Sequence, residues 1–245
     1  MDELTLDEPR ARGSRGARVR IIQEWLTLHG HAVVVDGDYG AATEEAVRRF
    51  QQRGGLRADG VVGKKTYAAL VAPMTAALAP LAPGRRSPAA LVVSYAQQHL
   101  RARPREVGGE NAGPWVRLYM NGNEGPDWPW CAGFACFVLK QACDTAGIAL
   151  PIRPSVSCDA LASSARERGR FVKEAARAAI ADLGPGSLFL NRRTSSDWVH
   201  TGIVLGFREE VFETIEGNTN DAGSREGYEV CRRVRGYPGK DFVAI

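Results

Sequence analysis

Two octapeptides constrain the first part of this 245-residue chain: DGDYGAAT from Asp36 to Thr43 and DGVVGKKT from Asp59 to Thr66, both fitting DGxxGxxT. In each, an Asp-Gly pair sets a turn, and a second Gly precedes a helix-like apolar run. The run is Ala46, Val47 and Phe50 after the first copy, and Tyr67 and Leu70 after the second. Ahead of them Val19, Ile22, Trp25 and Leu26 mark a third amphipathic helix, closed by Gly30. A compact three-helix unit with two Gly-rich loops follows from this pattern.

The stretches GSRGARVRIIQEWL, DGDYGAATEEAVRRFQ and LRADGVVGKKTYAAL resemble the peptidoglycan-binding domain often attached to bacterial wall hydrolases, over residues 13 to 71. Gln23, the two DG turns, Thr43, Phe50, Gln51 and Thr66 stand in that family's order. The resemblance implies a peptidoglycan partner. The repeat residues themselves are read as builders of turns and helices, because turn chemistry accounts for them.

With 44% hydrophobic and 24% charged residues, the chain can bury two modest cores. A net charge of +4, carried by scattered basic residues, marks no nucleic-acid surface. The opening MDELTLDEPRARG has acidic residues where a secretory signal needs basic ones, and no apolar h-region follows. The expectation is synthesis in the cytoplasm without a signal peptide. No apolar run reaches the ~18 to 20 residues of a membrane span, so no membrane insertion is expected. The five cysteines, 131, 136, 143, 158 and 231, are odd in number and lack CxxC spacing. This argues against a full disulfide framework and against a structural zinc site, and leaves at least one free thiol. His29 and His31 lack a Cys or acidic partner to complete a ligand set and are read as structural; no metal or cofactor is expected.

The expected domains are a flexible tail over 1–12, the three-helix domain over 13–72, a Pro/Ala linker over 73–90 and a second domain over 91–245. The second domain opens with the helical LVVSYAQQHLRA, and a further helix, apolar over a wide face, runs from Trp130 to Ala146. The later segments SLFL, VHTGIVLGF, VFETIEG and YEVCRRVRG are short, β-branched or aromatic, and bounded by Gly or Asn. They predict an antiparallel sheet after the helices, hence an α+β class.

Cys131 sits in GPDWPWCAGFACFVL, where Asp127 can cap the helix and Pro129 suits its opening turn. A thiol in the first turn meets the positive end of the helix dipole, which favours the thiolate. One thiolate, one base and one orienting group suffice for nucleophilic catalysis. The other four cysteines are read as small core residues. Of the two histidines in this half, His200 heads an apolar strand and is the candidate base, whereas His99 is read as solvent-facing in the first helix. Glu216 and Asn218, in TIEGNTN at the end of the next strand, can each accept the second ring N–H of an imidazole.

Together the segments GGENAGPWVRLYM, PWCAGF, GPGSLF, HTGIV and IEGNT resemble, in order, the CHAP family of papain-like amidohydrolases and peptidases, over residues 91 to 245. The resemblance implies a papain-like domain with helices packed on an antiparallel sheet. It also implies Cys131 as nucleophile, His200 as general base, and Glu216 with Asn218 as orienting or supporting groups. Ser187, where the family usually has Asp, and Thr201, where Val often follows the His, are departures that remove no catalytic atom. Some members carry a calcium loop before the nucleophile, but NGNEGPD over 121–127 lacks EF-type ligand spacing and is read as a polar turn.

The combined expectation is a monomeric peptidoglycan hydrolase that cuts amide bonds, as an N-acetylmuramoyl-L-alanine amidase or a stem or cross-bridge endopeptidase. It would act as a phage endolysin released through a holin, or as an antibacterial effector carried by a machine such as type VI secretion and paired with an immunity protein. The alternatives are a non-catalytic wall-binding protein and a cysteine peptidase with a non-wall substrate.

Overall fold

The computed structural model describes residues 3–174, 183–220 and 227–245. The chain divides into two compact units, one running up to Leu78 and taking in Arg105–Pro126, the other comprising Ala79–Pro104 and Asp127–Ile245.

In the first unit α1 (Ala17–Leu28), α2 (Ala41–Arg53) and α3 (Lys64–Leu70) are the three expected helices. Their apolar stripes meet in a core of Val19, Ile22, Trp25, Leu26, Val47, Tyr67 and Leu70, each almost wholly buried. The repeat has a cause beyond turn propensity. Gln23 of α1 fills the first loop: its Oε1 accepts from the N–H groups of Asp36 (3.1 Å) and Gly37 (2.8 Å), and its Nε2 donates to Asp36, Asp38 O and Thr43. Gln51 of α2 does the same in the second loop, accepting from Gly60 N–H (2.9 Å) and donating to Asp59, Val61 O and Thr66. Asp, Gly and Thr of DGxxGxxT are thus the partners of one buried carboxamide. Gly37 (φ 75°) and Gly60 (φ 73°) take the left-handed backbone that points their N–H groups at it.

Three features differ from the expected boundaries. The tail expected over 1–12, whose residues 1 and 2 lie outside the described residues, is anchored. Glu3 is buried, Tyr67 donates to its carbonyl (2.8 Å), and Arg10 pairs with Val62. The linker expected from 73 begins as helix α4 (Ala72–Leu78), because Met74 and Ala77 have apolar surface to bury. The GGENAGPWVRLYM stretch, expected in the second domain, packs in the first unit, where α6 (Pro114–Tyr119) sets Trp115 edge-on to Trp25 at 5.9 Å. Arg117 of α6 bonds the carboxylates of Glu3 (2.6 Å), Glu24 (2.6 Å) and Glu124 (2.7 Å). Glu124 is thereby committed to arginines, since Arg20 reaches it as well (3.2 Å).

The second unit places α5 (Pro88–Ala102), α7 (Cys131–Ala146) and α8 (Cys158–Glu167) with a six-stranded sheet. Its strands are β1 (Phe171–Val172), β2 (Leu188–Thr194), β3 (Asp197–Phe207), β4 (Val211–Thr219), β5 (Glu229–Gly236) and β6 (Lys240–Val243). Every pairing is antiparallel, in the order β1-β6-β2-β3-β4-β5. The α+β class therefore holds, with β1 and β6 as strands beyond the four expected. Helix α7 packs on α5, β3 and β4. It can lie close because β4 carries Gly217, where a Cβ would stand 2.7 Å from Trp130 and 2.8 Å from Phe134. Phe189, Phe212 and Phe242 build a second cluster with Tyr237, and each buried ring contributes about 2 to 3 kcal/mol. His99 is the reverse of its expected solvent-facing place. It is fully buried, bonded to Gln141 at 2.7 Å and packed on Phe134 and Phe137, and burial drives its pKa down to about 4.

Burial pushes the Glu24 carboxyl up against the pull of Arg117. Replacing Arg117 by Met should therefore destabilise the first unit by about 3 kcal/mol at neutral pH, leaving the buried Glu24 charge with the half-exposed Arg20 at 3.1 Å in place of a buried partner. In denaturant unfolding the deficit should shrink in acid as Glu24 protonates; a loss independent of pH would contradict this.

Candidate active site

Helix α7 starts at Cys131, so the thiol occupies its first turn, as its sequence setting suggests. The capping group is not the expected Asp127. The N-cap residue is Trp130, and its N–H donates to Asn218 Oδ1 at 3.2 Å. Asn218 sits near the end of β4 with φ 53°, a left-handed conformation that Asn tolerates better than most residues. There the β4–β5 register shifts between Glu216 and Thr219. The local twist aims the Asn218 side chain at the residue before Cys131, leaving the imidazole to another partner.

That partner is Glu216. His200 on β3 and Glu216 on β4 are diagonal neighbours in the antiparallel ladder, since Ile203 pairs with Ile215. His200 Nε2 meets Glu216 Oε2 at 2.8 Å, with both side chains buried. Cys131 is the other group that acts on the imidazole, through its charge and a hydrogen bond that favours the protonated ring. The structure thus brings together all four residues singled out in the sequence, with different tasks for Glu216 and Asn218.

Three further residues complete the site. Arg235 of β5 grips Glu216 with two hydrogen bonds, Nε to Oε1 (2.9 Å) and Nη2 to Oε2 (2.5 Å). Thr214 donates to Glu216 Oε1 at 2.6 Å. Cys158, the first residue of α8, places its sulfur 3.9 Å from that of Cys131. Strand alternation contained the signal for Arg235: Cys231, Arg233 and Arg235 share one face of β5, in register with Glu216, Thr214 and Phe212. Nothing in the sequence brings Cys158 to Cys131, because that contact depends on how α8 packs.

The Cys131 thiol is held well below its usual pKa, first by the hydrogen bond with Cys158. Burial opposes this, and the charge and hydrogen bond of His200 and the Thr201 N–H support it. Burial opposes charge on His200, but Cys131 and Glu216 outweigh it and raise the imidazole to about 9. Burial likewise opposes charge on Glu216, and the bonds from Arg235 and His200 bring it down to about 2. Thiolate, imidazolium, carboxylate and guanidinium alternate in sign, so the group as a whole is neutral. Such an arrangement supplies a nucleophile at neutral pH and a proton beside it. Among the described residues no three His, Cys, Asp or Glu side chains are grouped to hold a metal ion, and no helix is long and apolar enough to cross a membrane.

Residues 15–70 match a family model described as "Putative peptidoglycan binding domain". Over 60 residues the chain is 40% identical to a zinc D-Ala-D-Ala carboxypeptidase of Streptomyces albus G, covering 23% of this chain. The chain spans 24% of the length of that relative. Among solved structures, the SleB N-terminal domain is 37% identical, over 27% of this chain and 93% of that one, with a TM-score of 0.27. A Burkholderia AP3 phage endolysin is 33% identical, over 38% of this chain and 36% of that one, with a TM-score of 0.26.

Because the folded pKa of His200 is raised, the imidazolium persists below about 9 and is lost as pH rises through it. Alkylation of Cys131 by iodoacetamide should accordingly stay fast well below the pH at which ordinary thiols react. In His200→Gln the profile should move to higher pH. Peptide mapping of the alkylated cysteine reads both; a wild-type profile centred at the ordinary thiol pKa would refute the ion pair.

Proposed function

We propose that the protein is a peptidoglycan hydrolase in which a CHAP-type, papain-like domain cuts an amide bond by cysteine nucleophilic catalysis. The observation that carries this reading is the buried set of Cys131, His200 and Glu216, in which Glu216 bonds the imidazole that acts on a sulfur at a helix N-terminus. It occurs in a chain whose first unit matches a wall-binding family over residues 15–70.

The Cys131 thiolate attacks the amide carbonyl carbon, and the Cys131 backbone N–H, at the opening turn of α7, stabilises the oxyanion. The His200 imidazolium gives its proton to the departing amine, leaving a thioester on Cys131. Neutral His200 then takes a proton from water, whose oxygen attacks the thioester and restores the thiolate and imidazolium. Glu216 keeps the ring oriented and stabilises its charged form, and Arg235 and Thr214 hold Glu216. Asn218 fixes the backbone at Trp130, and through it the position of the nucleophile. The first unit holds the enzyme on its polymer, raising the local concentration of stem peptides. The setting fits a phage endolysin or a secreted antibacterial effector with an immunity partner.

Cys131→Ala in the full chain should abolish lysis of purified sacculi while leaving co-sedimentation with them intact. Glu216→Gln should lower turnover by roughly 10²-fold or more through loss of imidazole orientation. Mass spectrometry of the wild-type digest identifies the amide bond cut, as a new muramic acid terminus or a new peptide terminus. Sacculi lysed equally well by Cys131→Ala would remove the nucleophile from this account.

A further inference from the structure

Beyond the hydrogen bond that favours the Cys131 thiolate, Cys158 exchanges no atom in the hydrolytic steps; its sulfur lies 3.9 Å from that of Cys131, and each cysteine is the first residue of its helix. Both are narrowly open to solvent, 5% for Cys131 and 8% for Cys158. Two thiols at the starts of separate helices, facing one another, need to approach by only about 2 Å to reach a disulfide separation. We propose that Cys158 is a resolving thiol that joins Cys131 in a reversible disulfide when a hydroperoxide reaches the site, switching the enzyme off and sparing its nucleophile. This rests on the reading of Cys131 as the nucleophile.

The chemistry balances with residues already in place. The Cys131 thiolate attacks one oxygen of hydrogen peroxide, the O–O bond breaks, and the departing hydroxide takes the proton of the His200 imidazolium, leaving a sulfenic acid, a neutral imidazole and water. The Cys158 sulfur then attacks the Cys131 sulfur and the S–O bond breaks. The thiol proton leaves with the hydroxide as a second water. Peroxide is reduced by two electrons and the two sulfurs are oxidised by two. Loss of the Cys131 charge in the first step helps the second, since the Cys131 thiolate is what most strongly keeps Cys158 protonated. The neighbouring thiols are poor competitors. Cys136 both donates to and accepts from Ser155, and burial raises its pKa to about 11; burial also raises Cys143.

The test treats the intact chain with stoichiometric hydrogen peroxide and follows intact mass, non-reducing peptide maps and lysis of sacculi together. The expected product is lighter by two hydrogens, with the Cys131 and Cys158 peptides linked. Lysis should fall in step with the linkage and return with dithiothreitol. In Cys158→Ser one equivalent should add a single oxygen to Cys131 without linkage and excess peroxide a second and third, with lysis lost irreversibly once the second oxygen is added. Oxygen addition to wild-type Cys131 without the linkage, or linkage of Cys131 to another cysteine, would overturn the proposal. The mass readout is independent of turnover: a linkage formed in a protein that never lyses sacculi would support the thiol pair and overturn the hydrolase reading.

Discussion

The second unit depends on how closely the start of α7 is held to β4. Gly217 leaves no side chain where Trp130 and Phe134 press in, and Asn218 immediately after it accepts the Trp130 N–H. These two contacts, from consecutive residues, set both the distance and the angle of the helix start. The first N–H groups of the helix and the Cys131 sulfur are consequently delivered to β3, the interior strand on which His200 stands. A Cβ at position 217 would force the helix away by several tenths of an ångström or more. A displacement of that order matters in a site whose hydrogen bonds tolerate little.

Burying four ionisable groups together is costly unless every charge has a partner. Here each does. Cys131 faces His200, His200 faces Glu216, and Glu216 is gripped by Arg235 and Thr214. The same solution recurs in the first unit, where Arg117 joins Glu3, Glu24 and Glu124. The two networks differ in consequence. In the first, every carboxylate is committed to arginine and the arrangement is structural. In the second, the chain ends on a sulfur, held by hydrogen bonds from Cys158, His200 and Thr201 and by the charge of His200, and a thiolate so held can react.

The fold class was legible because periodicity reports which face of an element is buried. Cys131, His200, Glu216 and Asn218 were legible because reactive residue types stood at the ends of recognisable elements. What escaped the sequence depended on packing between distant segments. Asn218 resembled a second candidate for the imidazole until its left-handed backbone turned it toward Trp130. Alternation put Arg235 on one face of β5 with Cys231 and Arg233, but only the packed sheet shows that this face, rather than that of the 66% exposed Val234, meets the buried Glu216 carboxylate. His99 looked like a surface histidine and is buried, with Gln141 bonded to its ring. The stretch around Trp115 read as part of the second domain, although its tryptophan and Arg117 find their partners in the first unit.

The central claim is that Cys131, charged by its pairing with His200, becomes acylated by peptidoglycan. Acid quenching of the full-length protein during turnover of soluble muropeptides, followed by peptide mapping, tests it directly. The account predicts a thioester-linked stem-peptide fragment on Cys131, absent from Cys131→Ser and accumulating in His200→Gln if any acylation survives there. Turnover that proceeds with Cys131 unmodified, or with an adduct on a different residue, would contradict it.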